Sequence, residues 1–82
     1  MDRELALFEV WAFRELRARI IEIAAVFRGR VVCVSEHTLT IEATGMPDEI
    51  DALAELLADH GPLAVRRTGP ISIEQTPRRA II

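Results

Sequence analysis

Chemistry in this chain would have to come from few side chains: two histidines, His37 and His60, one cysteine, Cys33, and the acidic run Asp48, Glu49 and Asp51. A zinc site needs His or Cys ligands at short, repeated spacings, and two distant histidines with a lone cysteine do not supply them. Cys33 lies between valines in "VVCV" and reads as a small buried hydrophobe. His37 falls in the turn-like "SEHT". His60 ends an apolar-periodic segment, where the negative end of a helix dipole favours a cation. Asp48, Glu49 and Asp51 sit in the first turn of that segment and read as dipole partners, not as an acid–base pair. Glycines 29, 45, 61 and 69 all fall at element boundaries, so no phosphate-cradling loop is present. The reading predicts no catalytic residue, no metal and no cofactor.

One polar motif is left, "RRTGP". Arg66 and Arg67 lead into a Thr68-Gly69 turn whose backbone N–H groups could face a carboxylate or an acidic patch on a partner.

The elements that must position these residues follow from periodicity. "LALFEVWAF" (residues 5 to 13) carries one charge and reads as a strand that is apolar on both faces. "RELRARIIEIAAVFRG" places Leu16, Ile20, Ile23 and Phe27 on one helical stripe, widened by Ile21 and Ala24, and Gly29 is suited to stop it. "VVCV" and "LTIEA" pair as a hairpin, with Leu39, Ile41 and Ala43 inward and Thr40 and Glu42 outward. "PDEIDALAELLADHGP" is a second amphipathic helix with the stripe Ile50, Leu53, Ala54 and Leu57. Pro47 suits its first position, while Met46 lacks a capping side chain, a loss of about 1 kcal/mol. "LAV" and "ISIEQ" close the pattern, and "PRRAII" (residues 77–82) is a tail.

Strand, helix, strand, strand, helix, strand with right-handed crossovers predicts an α+β, ferredoxin-like βαββαβ domain over residues 1–76. Its four-stranded antiparallel sheet carries both helices on one face. The first strand is central. Leu5, Leu7, Trp11 and Phe13 are expected under the helices, which leaves Ala6, Phe8, Val10 and Ala12 on the open face. That face should then be covered by a second copy of the chain or another protein.

Composition narrows the classes further. Half of the 82 residues are apolar, enough for one core, and the net charge of −3 offers no basic face for nucleic acid. No segment has the build of a signal peptide or the length of a membrane span. A cytoplasmic location is expected, and a single cysteine fits a reducing compartment.

Laid out in order, "RELALFEV", "RARIIEIAAVFRGRVVCVSEHTLTIEATG", "PDEIDALAELL" and "RRTG" followed by a strand resemble the C-terminal domain of the acetolactate synthase small subunit. The likeness runs from Arg3 to Ile73 and rests on a series of segments. The resemblance implies a regulatory, non-catalytic domain of acetohydroxyacid synthase, in branched-chain amino acid biosynthesis. It implies as partners the thiamine-diphosphate-dependent catalytic subunit, a second copy, or a separate ACT-domain chain. The effector-binding N-terminal ACT domain is expected to be absent, so no valine-contact residue is carried over. The chain departs from the family at Cys33 (usually acidic), Met46 (usually Asp) and Trp11 (near a usual basic residue). A rival from another class is a stand-alone ACT-like dimer that senses an amino acid itself.

Overall fold

In the computed structural model, which describes residues 2–72, the chain runs β1 (Asp2–Trp11), α1 (Arg14–Val26), β2 (Arg30–Val34), β3 (Thr38–Gly45), α2 (Pro47–Ala58), β4 (Pro62–Arg67) and β5 (Ile71–Ser72). The strands form an antiparallel sheet in the order β2-β3-β1-β4, and β5 pairs with the start of β1. Both helices lie on one face. The ferredoxin-like arrangement is thus as expected. The tail 77–82, and the part of "ISIEQ" beyond Ser72, lie outside the described residues.

The register of β1 decides what faces what. Ala6, Phe8 and Val10 pair with Ala43, Ile41 and Leu39 of β3. With Ala12, Ile20, Ala24, Ile50, Leu53 and Leu57 they form the buried core. This reverses the expected faces. Ala6, Phe8, Val10 and Ala12 are fully buried under the helices and are not an open interface, whereas Leu5 and Trp11 are 36% and 41% exposed on the helix-free face.

The cause is electrostatic and steric. Arg3 and Glu9 share a face with Leu5, Leu7 and Trp11, and placing Glu9 under two helices without a partner would cost on the order of several kcal/mol in desolvation. The small side chains of Ala6, Ala12 and Ala43 let the helices approach the sheet closely. Phe13 lies outside the strand altogether, at the N-cap of α1, and is exposed.

Cys33 is also exposed rather than buried. The β2–β3 ladder slips between Val31, opposite Ile41, and Cys33, opposite Thr40. One extra residue in an edge strand exchanges its faces, and Cys33 arrives on the open side.

Helix α1 ends as expected near Gly29, but by a different device. Arg28, not glycine, takes the left-handed conformation, with φ 58°. Gly29 is required for space: a Cβ there would lie 3.2 Å from both the Ala24 carbonyl oxygen and Ile41 Cγ2. At α2, Glu49 Oε1 accepts the Met46 N–H at 2.9 Å and Asp48 Oδ1 accepts the Glu49 N–H at 3.0 Å. The acidic residues of the first turn thereby offset the missing cap at Met46.

Two stability predictions follow from these placements. Phe8→Ala should cost about 3–5 kcal/mol, and Leu7→Ser, on the opposite face, no more than about 1 kcal/mol, read by urea denaturation. Arg28→Gly should stabilise the chain by roughly 0.5–1 kcal/mol in the same assay, because it relieves the left-handed strain.

Candidate interaction surfaces

The Arg66-Arg67 pair is split by the strand that carries it. Arg66 stands opposite Leu7 and projects on the open face, and Arg67 stands opposite Ala6 and turns to the helix side. There it meets Glu4, which is 3% exposed and was not singled out from the sequence. Arg67 Nε donates to Glu4 Oε1 at 3.0 Å and Nη2 to Oε2 at 2.5 Å, a bidentate pair. Nη1 reaches Asp51 Oδ1 of α2 at 2.6 Å. The guanidinium beside Glu4 holds that carboxyl below the usual carboxylate range, against a burial that pushes the other way. Hydrogen bonds to both carboxylates push Arg67 in turn well above its ordinary value. One residue therefore ties the start of β1, the end of β4 and the first turns of α2. Parity is the signal that could have found it: Glu4 shares its face with Ala6 and Phe8, so its charge had to be answered from within.

Thr68 and Gly69 also serve the chain itself. The Thr68 N–H donates to the Leu5 carbonyl at 3.0 Å, and Thr68 Oγ1 accepts the Leu5 N–H at 3.1 Å. The hydroxyl thus stands in for a backbone carbonyl where the edge strand kinks. Gly69 follows in the left-handed region, φ 81°, and lets β5 resume the pairing with β1. The expected anion-facing N–H of Thr68 is committed to Leu5. Of the two arginines of the motif, Arg66 alone sends its side chain to the open face. It lines a shallow depression of about 220 Å³ there with Leu7, Glu9, Thr40 and Ala64.

A second surface lies where β1 runs into α1. The rings of Trp11 and Phe13 stack with centroids 5.6 Å apart and planes 8° from parallel, and His37 lies 5.1 Å from Phe13. Arg17 holds this corner in place. Its Nε donates to the Ala12 carbonyl at 2.9 Å, and Nη2 donates to the carbonyls of Ser35 and Glu36, each at 2.6 Å. The result is an exposed aromatic group on a fixed base. It adjoins a hollow of about 570 Å³ lined by Phe13, Arg14, Glu15, Arg17, Glu36 and His37. Among the described residues no three His, Cys, Asp or Glu side chains are grouped to hold a metal ion, and no helix is long and apolar enough to cross a membrane.

Comparison with known proteins agrees with this geometry. Residues 3–76 match the family model described as the small subunit of acetolactate synthase. The chain is 42% identical over 78 residues to the acetolactate synthase small subunit of Mycolicibacterium smegmatis, covering 95% of this chain and 46% of the relative. It is 43% identical over 79 residues to a probable acetolactate synthase small subunit of Methanothermobacter thermautotrophicus, covering 95% and 47%. The crystal structure of the small subunit from Thermotoga maritima superposes with a TM-score of 0.83 at 30% identity, over 94% of this chain and 47% of that one. The chain thus spans about half the length of these relatives.

The Glu4–Arg67–Asp51 group makes a pH-dependent prediction. Because Glu4 titrates below its ordinary value when folded, the stability it adds is fully present at neutral pH and is lost as the pH falls through its lowered pKa. Urea midpoints of wild type and Glu4→Gln should therefore differ at pH 7 and converge in acid. Arg67→Ala should lower the midpoint more than Arg66→Ala, because only the former strands a buried carboxylate.

Proposed function

Because this chain belongs to the family of acetolactate synthase small subunits, we propose that it is a non-catalytic module that binds the thiamine-diphosphate-dependent catalytic subunit and raises its activity. In this reading it works in branched-chain amino acid biosynthesis, in the cytoplasm. The observation that carries the proposal is the family match over residues 3–76. The geometry is compatible with it. Asp48 and Glu49 cap α2, and Arg67 ties Glu4 to Asp51, so these polar groups hold the fold together.

The contact surface for the catalytic subunit is, on this proposal, the Trp11–Phe13–His37 corner. Large aromatic side chains supply most of the binding energy at protein interfaces, and they do so best when held rigid beforehand. Arg17 provides that rigidity by fixing the adjoining turn to α1.

The test is a titration of the chain into a purified cognate catalytic subunit, followed by calorimetry and by acetolactate formation. Saturable binding with a rise in turnover is expected. Trp11→Ala should weaken binding by at least about tenfold while leaving the fold intact, as for a central interface aromatic. No heat and no change in rate would refute the proposal.

A further inference from the structure

One hollow of the surface lies apart from the aromatic corner, where β1 begins, β3 ends and α1 gives way to β2. It holds about 380 Å³, within the range of small-molecule sites. Arg3, Arg28 and Thr44 border it, and Val26 and Phe27 give it an apolar wall. Among the described residues neither arginine has an ion-pair or side-chain hydrogen-bond partner, whereas Arg17, Arg30 and Arg67 all do. Glu49 also borders the hollow, but its carboxylate serves the cap of α2, where Oε1 accepts the Met46 N–H at 2.9 Å. Two guanidiniums against one carboxylate leave the hollow net positive.

The backbone at Arg28 bears on the same point. It leaves α1 in the left-handed region, φ 58°, which glycine adopts without strain and arginine does not. A fold that needed only the turn would be served better by glycine. Strain of this kind persists where the side chain has a task, and here the side chain is one of two cations on a hollow.

We infer that this hollow binds a small organic phosphate, its phosphoryl group held between Arg3 and Arg28 and its carbon body against Val26 and Phe27. A phosphoryl group has three terminal oxygens, so two guanidiniums can each grip a separate edge of it while the Thr44 hydroxyl donates to a remaining lone pair. A carboxylate presents a single such edge, which one guanidinium fills. Covering Val26, 77% exposed, adds apolar burial that inorganic phosphate does not supply. The site belongs to the chain by itself and does not rest on the proposed contact with a catalytic subunit.

The test titrates phenyl phosphate, inorganic phosphate and benzoate into the full 82-residue chain by calorimetry. It is run near pH 8, well above the second phosphate pKa of about 6. Phenyl phosphate should bind with a Kd on the order of 0.1–1 mM, and the other two at least about tenfold more weakly. Arg28→Gly and Arg3→Gln should each weaken phenyl phosphate at least about tenfold. Arg28→Lys keeps the charge but not the fork, and should fall between wild type and Arg28→Gly. Arg19→Gln, at an exposed position of α1 away from the hollow, should leave binding within about twofold of wild type. Urea midpoints show whether each variant keeps its fold, and phenyl phosphate should raise the midpoint of wild type but not of Arg28→Gly. No binding at about 10 mM would overturn the inference. So would an equal loss in Arg19→Gln, unchanged binding in Arg28→Gly, or benzoate or inorganic phosphate binding as tightly as phenyl phosphate. Phenyl phosphate binding by a chain that fails to engage the catalytic subunit would refute only the proposed function, and the reverse outcome only the phosphate site.

Discussion

A strand has a side-chain period of two, and for β1 that fact governs everything else in the molecule. Pairing with β3 sets Ala6, Phe8 and Val10 against Ala43, Ile41 and Leu39 and sends all of them under the helices. A slip of one residue would bury Arg3 and Glu9 and expose Phe8, exchanging core for surface in a single step. Because β3 alternates cleanly while β1 does not, the register belongs to the pair. β1 alone would accept either side, whereas β3 offers one apolar face, and only one pairing of the two buries no unanswered charge.

The same parity explains the one charged group buried among the described residues. Glu4 falls on the helix side, where a lone carboxylate would be costly, and the edge strand answers it with Arg67. Asp51 then completes a chain of opposite charges from β1 to α2. What looks in the sequence like a basic motif aimed outward is therefore half structural. Thr68 and Gly69 extend that role, since they let the last strand kink and still pair with the first.

With the core and the charged tie assigned, the surfaces for other molecules are what is left over. Leu5 and Leu7 are the apolar excess of a central strand whose other side already fills the core. Trp11 and Phe13 form a stacked corner fixed by Arg17. The two surfaces differ in character. The sheet face is mixed in charge along its length, whereas the corner is aromatic and rigid and suits a larger partner.

Much of the fold was legible in the residues. Two helical stripes, the alternation of "LTIEA" and the boundary glycines define a βαββαβ chain, because local periodicity reports which side of an element is buried. The segments matching the small-subunit family were also legible, since they recur in order along the chain. What the sequence could not decide was the side of β1 that meets the helices: with both faces apolar, its period has no phase of its own. Nor could it show the bulge that turns Cys33 outward, or the inward turn of Arg67 to Glu4. Those depend on which residues from distant parts of the chain lie opposite one another, and only the assembled sheet brings them together.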